Sequence, residues 1–411
     1  MRILWLSVSA DAKTGYGKIT RDLLERLQPT HEVFSAAHGG DIIVWGGERW
    51  IPLGHGKKVL TLPYINPQTD PSNASEYVKM YVRRFNIDLV IGFWDLLALG
   101  WMNRLNLPFC QYVPIDGKMT KKWSENTEDA LKVIAYSHFG YDQLSRFLPS
   151  SKLSLILHGI DTYTFRPFSH SKTDLREVLA PQMTTPVPKE AFLFCTVEAN
   201  YTDRKKLPLL IRTFAELVKI HKDKDLHLYA HCNVKAWSGN GYDLQTLIND
   251  LGIVDRMHFP ANSPDQVPFT DDDLCLLYNA SNCYVTSSCA EGFNIPILES
   301  MASGTPVIAV RNSAMTELVE GHGYLAENVP EDMYVDYPMY VPYMNYYPVV
   351  DCRSLLSKMN HAVLAPNLLE RNAKLSRKFA MGYDWNKIMP SWFSLLKNLE
   401  GEIAMWKSLV S

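Results

Sequence analysis

The chain has 411 residues. At about 100–200 residues per domain, that length holds two domains or three. Hydrophobic residues make up 46% and charged residues 21%, an ordinary globular balance that excludes a disordered chain, a collagen-like repeat and a coiled coil. With 41 Lys+Arg against 44 Asp+Glu, the formal net charge of -3 supplies no general pull toward nucleic acid, although a local basic patch stays compatible with it.

In chain order, Ile3–Val8 reads as a buried strand and Lys18–Leu27 as an amphipathic helix with Ile19, Leu23, Leu24 and Leu27 on one face. Between them, Thr14-Gly-Tyr-Gly17 reads as a loop whose two glycines let backbone approach a phosphate or sugar closely. Arg2, Asp11 and Lys13 bracket an apolar run too short for a signal peptide, so a cytoplasmic protein is expected. The helix 76–85 precedes the strand 87–93; strands follow at 109–115, 131–136 and 153–157, and Ser137 is placed to cap a helix from His138. Tyr112-Val-Pro-Ile-Asp116-Gly117 and Trp94-Asp95 end strands and therefore face a ligand side.

Four prolines between 166 and 190 mark a linker with room for one short helix. The alternation then restarts. Strands are expected at 192–197, 226–230, 257–259, 283–286 and 306–310, with helices at 207–220, 244–251, 272–278 and 295–302. Strand–helix alternation in both halves implies two doubly wound parallel sheets. Residues 333–348 hold six tyrosines and three prolines and read as a loop, suited to stacking on a base or sugar, lining an interface or packing. The chain ends in helices bearing Trp385, Trp392 and Trp406. Seven cysteines without a C-x-x-C read as buried free thiols.

The most informative stretch runs from Glu291-Gly-Phe-Asn-Ile-Pro296 through Glu299 to Gly304-Thr-Pro306. Glu291 and Gly292 lie in a strand-to-helix loop, and Pro296 suits a first helical turn. Loop amides and a helix N-terminus suit anionic or hydroxyl-rich groups. Glu299 sits about one turn inside, roughly 9–12 Å from the loop, so two carboxylates are spaced to hold different ends of one elongated ligand. Asn200-Tyr-Thr-Asp-Arg204-Lys205-Lys206 follows the first strand of the second half and supplies cations for a phosphate. Two formal acidic clusters read otherwise: Asp223-Lys-Asp225 as a turn at the wrong end of the sheet, and Asp271-Asp-Asp273 as a helix cap.

The 291–307 stretch closely resembles the signature of retaining GT-B glycosyltransferases of the family 4 kind, with Ser300 where alanine is usual. His158-Gly-Ile-Asp161 through Phe165-Arg-Pro167, Tyr136-Ser-His-Phe-Gly140 and Ala314-Met-Thr-Glu-Leu-Val319 resemble further family segments, and the glycine-containing loop 14–17 resembles one placed over donor and acceptor. The resemblance implies an α/β GT-B fold, two Rossmann-like doubly wound domains facing a central cleft. Expected domains are 1–168 for the acceptor, 169–384 for the nucleotide sugar, and a tail 385–411 returning to the first. It implies transfer of a sugar with retention from a UDP- or GDP-linked donor; the turn and cap readings of the two acidic clusters lead to the expectation of no catalytic metal, and no other cofactor is expected. Catalytic roles would fall to Glu291, Lys205, Arg204 and Asp116. Donor binding would fall to Gly15, Tyr16, Gly17, Asn200, Gly292, Phe293, Asn294, Ile295 and Glu299. Asn200 stands where the family usually has arginine, and Arg204 is the expected replacement; Asp116 stands in for a family histidine. A glycan, lipid, protein or nucleic-acid acceptor, and a peripheral membrane contact, stay open. So do two other classes: a sugar-nucleotide epimerase or phosphorylase, and a non-catalytic nucleotide- or glycan-binding module.

Overall fold

A computed structural model describes residues 1–38, 47–64, 71–201, 203–235, 241–330 and 348–410. The tyrosine-rich stretch from Met333 to Tyr347 lies outside the described residues. The chain forms two compact units. One comprises Met1–His158 with the chain from Asn386 on, and the other comprises the described residues from Gly159 to Trp385. The units therefore part ahead of the 168/169 boundary expected from the proline-rich segment. That segment is ordered into the second unit by the helix Lys172–Leu179, which Ser171 caps through the Asp174 N–H.

The first unit is built on eight strands: β1 (Arg2–Val8), β2 (Glu32–His38), β3 (Arg49–Pro52), β4 (Lys58–Pro63), β5 (Leu89–Phe93), β6 (Phe109–Val113), β7 (Lys132–Ala135) and β8 (Leu153–Leu155). Their order across the sheet is β3-β4-β2-β1-β5-β6-β7-β8. All neighbours are parallel except the β3–β4 pair. From β1 the chain winds outward to β2 and β4, then returns to β5 on the other side of β1. The order thus reverses between β1 and β5, and a crevice opens beyond the strand ends where such a reversal occurs.

The second unit has β9 (Phe192–Val197), β10 (Leu226–His231), β11 (Met257–His258), β12 (Cys283–Val285), β13 (Val307–Val310) and β14 (Tyr324–Ala326), ordered β11-β10-β9-β12-β13-β14 and parallel throughout. Its reversal falls between β9 and β12. Near-continuous apolar runs such as Cys283-Tyr-Val285 are what strands covered on both faces require.

Two local outcomes differ from the sequence reading, in the first helix and in the strands after it. Gly15, Tyr16 and Gly17 are the first turn of the helix Gly15–Leu27 and not a loop, because the Thr14 side chain accepts the Gly17 N–H at 3.1 Å and starts the helix early. Gly17 also has to be glycine: a Cβ there would lie 2.1 Å from the Ala12 carbonyl oxygen. β2, β3 and β4 were not expected, since β2 has Ser35 and two alanines at its centre and β3 is short with a single buried residue. The helix Trp385–Val410 changes allegiance after its first residue: Trp385 packs on Gly159, and Trp392 packs edge-on against Trp5 and Tyr112 in the first unit's core. All seven cysteines are free thiols, six of them buried. Among the described residues no helix is long and apolar enough to cross a membrane.

Candidate functional site

Two loops meet at the reversal of the second sheet. One follows β9 and ends in the tight 3-10 turn Asp203–Lys205; the other follows β12 and leads into the helix Ile295–Ala302. They are stitched together by main-chain and hydroxyl contacts. The Cys289 N–H donates to the Arg204 carbonyl at 2.8 Å, and the Ser287 hydroxyl bonds the Lys205 and Lys206 carbonyls at 2.9 and 3.1 Å. Lys206 itself is buried in a left-handed conformation, φ 50°, where it starts the helix Leu207–Ile220.

The stitching brings Glu291, Arg204 and Lys205 together. The Glu291 carboxylate is 7% exposed, lies 2.9 Å from the Arg204 guanidinium, and accepts hydrogen bonds from Lys205 Nζ and, at 2.6 Å, from the Ser288 hydroxyl. Its backbone N–H donates to the Ser313 hydroxyl at 2.9 Å. Burial alone would raise this carboxyl, but the two cations and the hydrogen bonds outweigh it and bring the pKa down to about 2. Three of the expected catalytic residues are thus one ion cluster, with Arg204 supplying the second positive charge beside Lys205.

The neighbouring residues follow the loop. Gly292 is half-buried, and Phe293 is buried against Tyr383 with ring centroids 6.0 Å apart. Asn294 takes φ 71°, a turn that launches the helix, and Ile295 and Pro296 form its first positions. Glu299 is 2% exposed and accepts the Tyr278 hydroxyl at 2.8 Å. Asn200 sits apart from the cations. Its amide donates to the Asn233 and Tyr242 carbonyls at 2.9 and 2.8 Å and accepts the Tyr242 N–H at 3.0 Å, which ties the β9 loop to the segment after β10.

Gly15, Tyr16 and Gly17 belong to the first unit and follow β1 at the reversal of its own sheet, while Asp116 follows β6, one strand beyond β5, and its charge acts on Tyr16. The Tyr16 hydroxyl donates to Asp95 at 3.0 Å, and its ring packs on Trp94 and Phe93 at 4.3 and 4.9 Å. Burial, Asp95 and Tyr136, with a smaller contribution from Asp116, hold the phenol well above its ordinary pKa. His38 ends β2 with its ring edge-on to Trp94 at 4.6 Å. Burial lowers its imidazole to about 4, and neither nitrogen has a hydrogen-bond partner among the described residues.

Sequence reasoning missed His38, Ser288, Ser313, Tyr278 and Glu198. Glu198 is the first residue after β9; it is 5% exposed and bonds the Thr286 hydroxyl beyond the end of β12. Glu198 had only its place after a strand as a signal, shared with many surface residues, and His38 had none, since β2 itself was not recognised. The His158-to-Pro167 stretch plays a different part: Asp161 caps its own turn, Phe165 is fully buried, and Ile160 pairs with Asp384.

Comparison with known proteins agrees with this geometry. Residues 191–336 match the family described as glycosyl transferases group 1. D-inositol 3-phosphate glycosyltransferase of Corynebacterium kroppenstedtii is 31% identical over 166 residues, 39% of this chain and 33% of that protein. MMP alpha-(1->4)-mannosyltransferase of Mycolicibacterium hassiacum is 33% identical over 218 residues, 53% of this chain and 45% of that protein. The chain thus spans under half the length of these relatives. Sucrose-phosphate synthase from Thermosynechococcus elongatus superposes with a TM-score of 0.74 at 18% identity, covering 98% of this chain and 99% of that one. Anabaena Alr3699/HepE, solved in complex with UDP-glucose, superposes with a TM-score of 0.72 at 16% identity, covering 98% and 100%. The fold is GT-B, and residues 191–336 are similar to glycosyl transferases group 1.

Proposed function

We propose that the protein is a retaining, metal-independent glycosyltransferase that moves a sugar from a nucleoside-diphosphate sugar to an acceptor hydroxyl. The observation that carries this reading is the Glu291–Arg204–Lys205 cluster at the reversal of the second sheet. Two cations held in place by one carboxylate are set to receive a diphosphate. When the phosphates arrive the cations turn to them, and Glu291 becomes free to accept hydrogen bonds from the donor sugar. As the glycosidic bond breaks, negative charge grows on the departing diphosphate, and prepositioned Arg204 and Lys205 stabilise that charge more than they stabilise the ground state. Glu299, at the fifth position of its helix, suits the ribose hydroxyls; Gly292, Phe293 and Asn294 suit the sugar and phosphate through their backbone. Binding of UDP-glucose by Anabaena HepE supports the nucleotide-sugar class.

Metal independence is supported by what the two acidic clusters do. Asp225 pairs with Arg256 and His227, and Asp273 completes a capping box with Thr270. The first unit, with Tyr16, Trp94 and Asp95 around its sheet reversal and Asp116 after β6, would take the acceptor. An aromatic face with carboxylates beside it suits a hydroxyl-bearing group. The test is release of nucleoside diphosphate from a panel of UDP- and GDP-sugars. Release that depends on added acceptor supports transfer, and an anomeric assignment of the product reads retention. Release without acceptor at the same rate, or no release with any donor, overturns the reading.

A further inference from the structure

Glu198 and Thr286 extend from β9 and β12, the two strands between which the second sheet reverses. Their side chains join directly across that reversal. Thr286 Oγ1 in turn accepts the Ser288 N–H at 3.2 Å, and the Ser288 hydroxyl donates to Glu291. Glu198 is therefore connected through one short segment to the carboxylate that holds both cations. Its other oxygen, Oε2, is buried and has no hydrogen-bond partner among the described residues. A buried ionised carboxylate with a bare oxygen is costly, and a proton on that oxygen removes the cost.

The groups facing Glu198 have been divided unevenly. Arg204 and Lys205 both contact Glu291, and their charges also act on Glu198, Lys205 more than Arg204. Tyr284 on β12 and Cys232 after β10 are buried, with hydroxyl and thiol held protonated by that burial. His231, whose carbonyl accepts the Glu198 N–H, is kept neutral near pH 7 by burial. Burial and then the nearby charges, Lys205 lowering and Glu291 raising, leave the Glu198 carboxyl at about 7. Within this cluster, two cations face one carboxylate when Glu198 is protonated and two carboxylates when it is not.

We propose that Glu198 is a positioning residue whose proton is coupled to anion binding: a diphosphate seated on Arg204 and Lys205 draws a proton onto Glu198, and loss of that proton weakens the seat. The inference rests on the phosphate role given to the cluster above. With the proton in place the cluster carries one net positive charge and attracts a doubly negative ligand. Without it, Glu198 competes for Lys205 through the same low-dielectric space.

The test is calorimetric titration with UDP-glucose and GDP-mannose from pH 6 to 8.5, in buffers of differing ionisation enthalpy. Their diphosphates are esterified at both ends and do not titrate near neutrality. The wild type should take up close to one proton per ligand at pH 8, and its affinity should fall by about threefold to tenfold per pH unit above neutrality. Glu198→Gln, which keeps the side-chain shape and cannot ionise, should show no such uptake and bind at pH 8.5 nearly as it binds at pH 6. Glu198→Ala should bind more weakly than Glu198→Gln at every pH, because the Thr286 hydroxyl loses its partner. Equal proton uptake by wild type and Glu198→Gln overturns the coupling and leaves the phosphate site standing. Absence of binding for either ligand at any pH overturns the phosphate site and the coupling with it.

Discussion

Both units fold as doubly wound sheets, and each gathers side chains where its strand order reverses, yet the two gatherings are chemically opposite. Between β9 and β12 the second unit assembles charge: Arg204, Lys205, Glu291 and Glu198, with Ser288, Thr286 and Ser313 filling the remaining hydrogen bonds. Between β1 and β5 the first unit assembles rings: Tyr16, Phe93 and Trp94, with His38 edge-on to Trp94 and Asp95 accepting the one phenol proton. The charged site has Glu291 paired with Arg204 and Lys205 before any ligand arrives, and leaves one oxygen of Glu198 bare among the described residues. The aromatic site keeps polar atoms without partners, His38 Nδ1 and Nε2 and Trp94 Nε1 among the described residues. The same topology thus presents a paired ionic cluster in one unit and an aromatic face in the other. The architecture decides where a site lies, and the residues after each strand decide what it binds.

The largest expected effect comes from breaking the ionic site. Lys205→Ala or Glu291→Ala should lower turnover by about a hundredfold to a thousandfold, the range seen when a prepositioned transition-state contact is removed. Glu291→Ala should also leave two cations without their carboxylate, so its circular dichroism spectrum needs to match the wild type for the loss to be read as catalytic. If either variant turns over at wild-type rate, the charged half of the comparison fails.

The next effect is on stability and sets one loop conformation against the other. Gly17→Ala drives a Cβ against the Ala12 carbonyl, a contact that only backbone movement relieves, and should cost about 1–3 kcal/mol in urea unfolding. Lys206 sits at φ 50° with a side chain that is buried, so Lys206→Gly should relieve roughly 1 kcal/mol of left-handed strain while losing packing, for a net change near zero. Equal costs for the two would show that backbone approach is not special to the first unit.

Acid separates the sites by pH window. The His38 pKa is depressed on folding from 6.5 to about 4, so the folded state prefers the neutral ring. The stability this gives is full above pH 6.5 and is lost as pH falls toward 4, an amount of about 3 kcal/mol by linkage. Glu291 is depressed from 4.5 to about 2, so its contribution is full above 4.5 and is lost only as pH falls toward 2. Unfolding of the wild type and of His38→Gln across pH 4–8 should converge toward pH 4. A constant gap would remove His38 from the account.

How much of this was legible in the sequence differs between the sites for a physical reason. The helix Ile295–Ala302 falls where Pro296 and the following apolar run put it, and Arg204, Lys205 and Glu291 are visible as charges next to strand and helix ends. Local signals of that kind survive folding unchanged. Glu198 and Thr286 lie 88 residues apart, and nothing near Glu198 in the chain marks it as buried. Its meaning comes only from two loops converging. The glycines at 15 and 17 pointed to a loop, and the Thr14 cap made them a helical turn. His38 was hidden because β2, with small residues at its centre, lacks the branched apolar run by which a strand is recognised.

The smallest effect is the sharpest probe of the aromatic site. Tyr16→Phe keeps the ring on Trp94 and Phe93 and removes only the hydrogen bond to Asp95. A bond to a charged acceptor at a partly open position contributes about 1 kcal/mol, so unfolding should shift by no more than that. The phenol also stays protonated through the neutral range, so the hydroxyl is a donor at every working pH. If the first unit receives the acceptor, the substitution should raise the acceptor KM severalfold and leave the affinity for UDP-glucose as it is. A change in donor affinity of the same size would mean that the ring cluster serves the nucleotide sugar as well, and the division of labour between the two reversals would have to be redrawn.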